Sequence, residues 1–264
     1  PFDHLTPQGV LDALDGVGLR GDGRMLQLNS YENRVFQVFL EDDSAIVAKF
    51  YRPERWTDAQ ILEEHAFAIE LASAEVPVVA PLVLADGSTL AHADIDGQPF
   101  RFAAFPRRAG RPPELEDLDT LRWLGRFIGR LHSVGAAKPF STRRALNPQT
   151  FGHQARDRVL ALDVILEAQA GPWLATCNDA IAAAERAFDS VRPKTLRLHG
   201  DCHPGNVLWR DGGPHLVDLD DACTGPAVQD LWMLLSGQPE AMRTQLDAVL
   251  AGYQRSEERR VGKE

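Results

Sequence analysis

The segment from Leu196 to Ala222, LRLHGDCHPGNVLWRDGGPHLVDLDDA, constrains the fold and chemistry of this chain more than any other. It holds three His, one Cys and five Asp among apolar runs and glycines. Two apolar runs flank the turn sequence DGGP, a pattern that predicts a tight β-hairpin. With the turn centred near Gly212, Asn206 and Asp218 each lie six residues from it, so antiparallel pairing places them side by side.

Carboxylate and amide oxygens in this hairpin favour a hard divalent cation. Asn206 and Asp218 can bind one Mg²⁺ between them, because oxygen ligands suit that ion better than they suit Zn²⁺. Asp201 lies five residues before Asn206, on the loop that enters the hairpin. Phosphoryl transfer needs one Asp that orients and deprotonates a hydroxyl, and an Asn and an Asp that hold the metal on the nucleotide phosphates. We therefore predict Asp201 and Asp218 as catalytic residues, and Asn206 and Asp218 as magnesium ligands.

A zinc site is the alternative for the same segment. Its potential ligands are His199, Cys202, His203 and Cys223. Structural zinc sites, however, usually draw their ligands from CxxC or HxxxH pairs with a second pair at a defined distance, and here a single Asp-rich cluster dominates. The chain has three Cys, an odd number, and none of them forms a CxxC motif. A disulfide framework is therefore not expected, and a reducing cytoplasm is the favoured compartment.

Three other polar residues in the catalytic half have less specific interpretations. Asp220 shares the strand face of Asp218 and could serve a second Mg²⁺, but a loop cap or a salt bridge is the favoured interpretation. We expect Asp230 to brace the loop or cap the following helix. His132 is predicted to be a partly buried histidine whose hydrogen bonds are satisfied.

The first 105 residues have the pattern of an antiparallel sheet with one inserted helix. The apolar runs RVFQVFL and AIVAKFY around the polar turn EDDSA predict a hairpin, and further strands follow Pro81. Between them, TDAQILEEHAFAIELASAEV has helical periodicity, with Thr57 or Asp58 as its N-cap. The apolar face of this helix is predicted from Ile61, Leu62, Ala66, Ile69 and Leu71.

A lysine and a glutamate in this half predict a nucleotide site. Lys49 ends the apolar strand AIVAKF, and a buried strand rarely turns a Lys inward without a partner. Glu64 follows fifteen residues later, on the helix. A strand Lys paired with a helix Glu is the device by which kinases grip the α- and β-phosphates of ATP. We predict that Lys49 and Glu64 form this pair, with Glu63 as the alternative to Glu64.

The composition changes at PRRAGRPPELED, which is rich in Pro, Arg and Gly, as expected of a hinge. We predict a nucleotide-binding lobe over residues 1–105 and a catalytic lobe over 106–254. The tail RSEERRVGKE, residues 255–264, resembles the translation of a common sequencing adapter. We expect it to be an artefact and the native catalytic lobe to continue past Gln254. The helices predicted for the catalytic lobe are Leu118–Ser133, 157–168, Trp173–Val191 and one that begins in PAVQDLWMLLSG.

Several motifs resemble one family. HGDCHPGN resembles the HGDxHxxN motif of aminoglycoside phosphotransferase and choline kinase-like proteins, and VDLDD resembles their metal-binding Asp segment. Within that superfamily, QLNSYENRVFQV, KFYRPERW, ILEEH, RLHGDCHPGNVLWRDG and GPAVQDLWMLL resemble the stress response kinase A (YihE-type) Ser/Thr protein kinases. The likeness extends over essentially all of residues 2–254. It implies Asp201 as the catalytic base and a cytoplasmic, Mg²⁺- and ATP-dependent enzyme of the stress response.

The fold predicted from these patterns and this resemblance is α+β and bilobal, like that of the protein kinases. It has a small antiparallel β lobe with one helix and a larger, mainly helical lobe. One departure concerns the phosphate cover, which in most kinases is a Gly-rich hairpin but here has the sequence QLNSYENRVFQV. The Ser30 hydroxyl and the backbone amides beside it are expected to contact phosphate oxygens, under a bulkier cover made by Tyr31 and Glu32.

The favoured reaction is transfer of the γ-phosphoryl group of ATP to a Ser or Thr hydroxyl of a protein substrate. A small-molecule kinase of the aminoglycoside, choline or homoserine type is an alternative, because the motif does not determine the acceptor. A nucleotide-binding pseudokinase is another, although intact Lys49, Asp201 and Asp218 argue against it. The net charge of −10 argues against nucleic-acid binding. No apolar run is long enough for a membrane span, and we expect a cytoplasmic monomer.

Overall fold

The computed structural model describes residues 2–210 and 212–261. The first half of the chain forms one antiparallel sheet, in which the strand Arg34–Leu40 turns alternate side chains into the core. Its strands are β1 (Gly21–Leu28), β2 (Arg34–Leu40), β3 (Ala45–Phe50), β4 (Ala91–Ile95) and β5 (Gln98–Pro106). Their order is β1-β2-β3-β5-β4, and the pairing of β2 with β3 confirms the predicted hairpin.

Two helices accompany this sheet, α1 (Pro7–Asp15) and α2 (Asp58–Ser73). Only α2 is predicted from the sequence, so the small lobe has one helix more than expected. The nine residues of α1 offer too few periodic positions to stand out from the surrounding chain. The helix nevertheless begins with Pro after the N-cap Thr6, and its buried side chains join the core of the sheet. These are Val10, Ala13 and Leu14.

Helix α2 begins where the sequence predicts. Thr57 is its N-cap, and a capping box joins Thr57 and Gln60, each side chain bonding the backbone amide of the other. The buried face differs from the predicted one, because Leu62 is exposed whereas Glu64 and His65 are buried. A helix that buries a Glu and a His on its inner face must meet polar partners there.

The second half of the chain is mainly helical, with two small antiparallel strand pairs in its described residues. One pair is β6 (Thr195–Leu198) with β9 (Cys223–Pro226), and the other is β7 (Val207–Arg210) with β8 (Gly213–Leu216). The helices are α3 (Leu118–Gly135), α4 (Gln154–Ala161), α5 (Glu167–Val191), α6 (Gln229–Trp232) and α7 (Pro239–Val261).

Four helices are predicted for this half, whereas its described residues form five, because a separate helix, α7, follows the short α6 that begins in PAVQDLWMLLSG. Helix α3 confirms the one predicted from Leu118. The helix predicted over residues 157–168 is misplaced, because α4 ends at Ala161 and α5 already begins at Glu167. Pro172 lies within α5, where the prediction began the helix only after the proline.

Two main hydrophobic cores make the molecule bilobal, and a third, smaller cluster holds Ile61 of α2 with Tyr51, Trp56, Leu90 and Ala103. The smaller of the two main cores lies between α1 and the five-stranded sheet, and the larger is built around α3, β7, β8 and α7. The inner face of α2 joins the larger core through Phe67, Ala68 and Leu71. The α+β bilobal fold is therefore confirmed, with two helices in the small lobe and α2 packed on both lobes.

The tail predicted to be an artefact is only partly described. Residues 255–261 continue α7, whereas 262–264 lie outside the described residues. Across residues 2–210 and 212–261, no helix combines the length and the apolar character that a membrane crossing requires.

Candidate active site

The HGD loop (residues 199–206) follows β6 and is held by its backbone. The amides of His199 and Gly200 both donate to the carboxylate of Asp230, each at 2.8 Å. Gly200 has a φ of +87° and passes so close to the backbone oxygen of Asp221 that a Cβ atom would clash with it. The backbone of the HGD loop is therefore held in place by contacts that do not involve its reactive side chains.

Asp230 is the buried centre of this support. Besides the two loop amides it meets Nε2 of His132 at 3.0 Å, and Nδ1 of His132 lies 2.9 Å from the hydroxyl of Tyr253. Burial opposes the charge of Asp230, but the hydrogen bond from His132 and the loop amides outweigh it, so the pKa of Asp230 is lowered. The predictions that Asp230 braces the loop and that His132 is a satisfied, buried histidine are confirmed.

Asp201 and Asn206 are joined across the HGD loop. Asn206 donates from Nδ2 to the backbone oxygen of Asp201 at 2.9 Å and to its Oδ2 at 3.2 Å. The Asp201 side chain is still 36% exposed, so its carboxylate can meet an incoming hydroxyl. Because the amide nitrogen of Asn206 is occupied by Asp201, its amide oxygen is left to bind a cation.

The hairpin that leads to Asp218 differs by one residue from the predicted register. The pairing of β7 with β8 extends to Asn206 opposite Val217, not opposite Asp218. The backbone amide of Val217 donates to the backbone oxygen of Asn206 at 3.0 Å. The backbone oxygen of Val217 lies 2.9 Å from Nε2 of His199. Asp218 then leaves the strand with a left-handed φ of 59°. The two predicted magnesium ligands are thus diagonal neighbours at the strand end and not a cross-strand pair.

Lys49 reaches the DLDD loop (residues 218–222) from the sheet. Its buried Nζ lies 2.9 Å from Oδ1 of Asp218 and 3.2 Å from Oδ1 of Asp220. Burial opposes the charge of the lysine, but Asp218, Asp220 and Glu64 outweigh it and raise the pKa of Lys49 well above its usual value. These ion pairs join the two lobes, since Lys49 belongs to β3 and both aspartates follow β8.

Glu64 is buried near Lys49 but does not form the predicted ion pair with it. Among the described residues, Lys49 pairs with the two aspartates, and the partner of Glu64 is Arg143, with 3.8 Å between Oε2 and Nη1. The carboxylates of the DLDD loop bind the Lys49 ammonium group instead. Burial raises the pKa of Glu64 to about 7, with Lys49 opposing the effect. The alternative, Glu63, bonds a different loop, so Glu64 is the glutamate that belongs to this cluster.

We expect the free energy of unfolding of Glu64→Gln to exceed that of the wild type by an amount that grows as the pH rises from about 5 to about 7. An unfolded glutamate ionises near 4.5, whereas folded Glu64 keeps its proton up to about 7. Between these values the folded wild type binds more protons than the unfolded chain, so its stability falls as the pH rises. Glutamine stays neutral, and the difference in unfolding free energy should grow to about 3 kcal/mol.

Denaturant melts of both proteins across this pH range measure the effect. The neighbouring His65 is present in both, so its own titration cancels from the difference. A difference that does not change with pH would show that Glu64 ionises alike in the folded and unfolded states.

Ser30 lies in the turn between β1 and β2, where a phosphate cover is predicted. Its Oγ accepts a hydrogen bond from the amide of Asn33 at 3.3 Å, which closes the turn. The buried Asn33 side chain accepts from the amide of Arg52 at 3.0 Å and donates to Oδ2 of Asp220 at 3.3 Å. The turn is thus tied to the DLDD loop through Asn33, while Ser30 bonds none of the other predicted site residues within the described structure.

Arg55 is a site residue that sequence patterns do not predict. It donates from Nη2 to Asp221 at 2.8 Å, and its Nη1 lies 3.1 Å from Glu32 and 3.5 Å from Asp220. Although burial opposes ionisation, Lys49 and Arg55 lower the pKa of Asp220. The salt-bridge interpretation of Asp220 is therefore confirmed. The signal that could have indicated Arg55 is the arginine-containing run KFYRPERW, directly after the strand lysine.

These features together define a kinase-like phosphotransferase: a strand lysine paired with a loop aspartate, beside an Asp–Asn pair, between a β lobe and a helical lobe. The model of the phosphotransferase enzyme family matches residues 25–264. Stress response kinase A of Escherichia coli strain K12 is 44% identical over 253 residues, which are 96% of this chain and 75% of that protein. Serine/threonine protein kinase RdoA of Salmonella typhimurium strain LT2 is 43% identical over 253 residues with the same coverage. The chain belongs to the phosphotransferase enzyme family and, within it, to the stress response kinase A family; it is a kinase.

Two solved structures that share the fold are much more distant in sequence than these relatives. Amicoumacin kinase hAmiN, in complex with AMP-PNP, Ca²⁺ and Ami, superposes with a TM-score of 0.74 at 17% identity, over 94% of this chain and 77% of that one. A microcompartment-associated aminopropanol kinase has a TM-score of 0.65 at 17% identity, over 95% of this chain and 81% of that one. At such identities the likeness concerns the fold alone, and it agrees with the bilobal architecture.

Proposed function

We propose that this protein is an ATP- and Mg²⁺-dependent kinase that phosphorylates Ser or Thr hydroxyls of a protein substrate. The observation that supports it most is the meeting of Lys49 with Asp218 across the lobes, beside the Asp201–Asn206 pair. Fixed charges and a positioned carboxylate are what phosphoryl transfer requires of a protein. The protein acceptor is supported by relatives named stress response kinase A and serine/threonine protein kinase RdoA.

Asp201 is the proposed catalytic base. Its carboxylate is partly exposed, while the backbone before it is fixed by Asp230. A carboxylate held in this way orients the acceptor hydroxyl and takes its proton as the oxygen attacks the γ-phosphorus, while the bond to the bridging oxygen breaks and ADP leaves. Asn206 keeps the side chain of Asp201 in place through its two hydrogen bonds.

Lys49, Asn206 and Asp218 are the proposed groups that hold the phosphates and the metal. The free amide oxygen of Asn206 and the Asp218 carboxylate, which is 45% exposed, form an oxygen donor set that fits Mg²⁺. The ion would neutralise phosphate charge and stabilise the charge that develops in the transition state. Lys49 supplies a fixed positive charge for the α- and β-phosphates, with Glu64 beside it, and the Ser30 turn covers them from above the cleft.

The division of labour between the lobes follows from these roles. Residues 1–105 bind the nucleotide, and residues 106–254 carry the base, the metal ligands and the acceptor site. The proposed setting is the cytoplasm during stress, with the protein acting as a monomer; the name of the relatives supports the link to stress.

Transfer of label from γ-labelled ATP tests the acceptor class. The protein is incubated with a generic protein substrate and, in parallel, with choline, homoserine and an aminoglycoside panel. We expect Mg²⁺-dependent label on the protein, recovered as phosphoserine or phosphothreonine after hydrolysis and absent when Asp201→Asn replaces the wild type. Label found only on a small molecule would replace the protein acceptor by that compound, and nucleotide binding without any transfer would identify a pseudokinase.

A further inference from the structure

A loop of the large lobe, which we call the bracket (residues 141–146), is anchored on α2. Glu63 accepts five hydrogen bonds from the first three bracket residues, at 2.5 to 2.9 Å. Burial opposes the charge of Glu63, but these hydrogen bonds, with those from Thr142 and Ser141 the largest, lower its pKa to about 2. The anchor is therefore an ionised carboxylate throughout the physiological pH range.

The other end of the bracket is anchored on β9, directly after the DLDD loop. The amide of Leu146 donates to the oxygen of Thr224 at 2.6 Å, and the amide of Thr224 donates to the oxygen of Arg144 at 3.1 Å. The bracket thus connects α2, which carries Glu64, with β9, which follows the predicted metal ligand Asp218.

Arg143 fills the space between these anchors with a completely buried guanidinium. Its Nε donates to the carbonyl of Ala222 at 2.5 Å, and Nη2 donates to the carbonyl of Asp220. Nη1 donates to the carbonyl of Gln60 in α2 at 3.1 Å, and the guanidinium lies over the ring of Trp56, with 4.3 Å between Cζ and the ring centroid. One side chain therefore binds two carbonyls of the DLDD loop and one of α2.

The planar fork of an arginine is suited to this task. It presents several donors in one rigid plane, so three carbonyls from two segments are held at defined positions relative to each other. Asp218 lies two residues before the first of the bound carbonyls, at the start of the same loop, and has a left-handed backbone conformation. The direction of its carboxylate thus depends on the position of the rest of the DLDD loop.

We propose that Arg143 is a positioning residue for phosphoryl transfer, given the kinase function proposed for the protein. It holds the DLDD loop against α2, and so sets where the Asp218 carboxylate stands relative to Asn206, without touching nucleotide or acceptor. Residues that orient metal ligands in this way typically change metal affinity or activity about 10- to 100-fold when they are removed.

The chain offers a matched control in Arg197. This arginine is also buried, binds Glu70 of α2 at 2.9 and 3.0 Å and donates to the carbonyl of Val134 at 3.0 Å, but it does not bond the DLDD loop. Arg143→Met and Arg197→Met each remove a buried guanidinium that binds α2 and backbone carbonyls. Both should lower stability, and only the first should alter metal use.

The readout is the affinity for ADP by calorimetry, with and without Mg²⁺, together with the Mg²⁺ concentration for half-maximal turnover of ATP. For Arg143→Met we expect the metal-dependent gain in ADP affinity to fall, and the required Mg²⁺ concentration to rise, by about 10- to 100-fold. ADP affinity without metal should stay unchanged. Arg143→Lys should show a smaller but measurable change, because its ammonium group keeps some hydrogen-bond donors but is too compact to hold all three carbonyls. Arg197→Met should keep the wild-type metal dependence.

Three results would contradict the role of Arg143. One is a folded Arg143→Met protein whose metal dependence equals that of the wild type, and another is an equal change in Arg197→Met. If Arg143→Met does not fold, Glu63→Gln offers a second test, because it loosens the same bracket from its half-buried end and should also raise the Mg²⁺ requirement. The third contradicting result is a wild-type metal dependence in both Glu63→Gln and Arg143→Lys. A wild type whose nucleotide binding ignores Mg²⁺ would instead overturn the proposed function itself.

Discussion

Replacing Asp201 by asparagine is expected to lower kcat by about two to four orders of magnitude, the usual contribution of a positioned general base. The substitution keeps the size of the side chain and its place beside Asn206, but removes the acceptor for the hydroxyl proton. Asp201 makes no ion pair with Lys49 in the described structure, so the nucleotide side of the cleft should be unaffected. Because the loss is confined to the transition state, the KM for ATP should change little.

Steady-state kinetics and calorimetry on the same preparation distinguish a base from a ligand. Retained Mg·ATP affinity with a collapsed kcat supports the base. If nucleotide binding collapses equally, Asp201 is a metal ligand and the roles in the HGD loop have to be reassigned. Turnover close to that of the wild type would contradict the kinase mechanism as placed here.

Asp218→Ala is expected to abolish the metal-dependent part of ATP binding, lowering the affinity measured with Mg²⁺ by about 100-fold or more. Asp218 is the more exposed of the two carboxylates that meet Lys49, and the only charged member of the donor set proposed for the metal. The fold should survive, because Lys49 keeps its ion pair with Asp220 at 3.2 Å. The loss of both aspartates would instead leave the buried ammonium group of Lys49 without an ion-pair partner.

Asn206→Ala provides the graded comparison for this result. An amide oxygen carries no formal charge, so its loss should weaken Mg·ATP binding less than the loss of Asp218 does. Calorimetry in the presence and absence of Mg²⁺ measures both variants. Unchanged Mg·ATP affinity in Asp218→Ala would show that the metal is held elsewhere.

Elements with a strong local signal could be predicted, and weakly patterned ones could not. Helix α2 has a capping box at Thr57, and β2 and β3 alternate around a polar turn, so short stretches of sequence contain the whole signal. Helix α1 and the break between α4 and α5 have no comparable pattern. Their positions are decided by packing, because a short helix is stable only when tertiary contacts bury its apolar face.

Within the site, the chemistry could be predicted more fully than the geometry. The spacing of Asp201, Asn206 and Asp218 indicates a base and two metal ligands before any coordinates are known. The register of the hairpin is one residue different, because β7 and β8 close at the pair Arg210–Gly213, which sets Asn206 opposite Val217. The contact of Asp218 with Lys49 of the sheet joins distant segments of the chain, and no local pattern specifies it.

By itself, the sequence determined which chemical groups are present, their order along the chain and the two-lobed succession of a β half and a helical half. These are properties of composition, motif spacing and hydrophobic periodicity, which act over short stretches. Only the tertiary structure decided the partners: Lys49 with Asp218, which are 169 residues apart, Asn33 with Asp220, and Arg143 with the carbonyls of the DLDD loop. It also decided that burial raises the pKa of Glu64 to about 7, while the pKa of Glu63 is lowered to about 2 by hydrogen bonds that outweigh its burial. The physical reason is that buried charges choose partners by distance and desolvation, and both quantities arise only when distant segments of the chain are packed together.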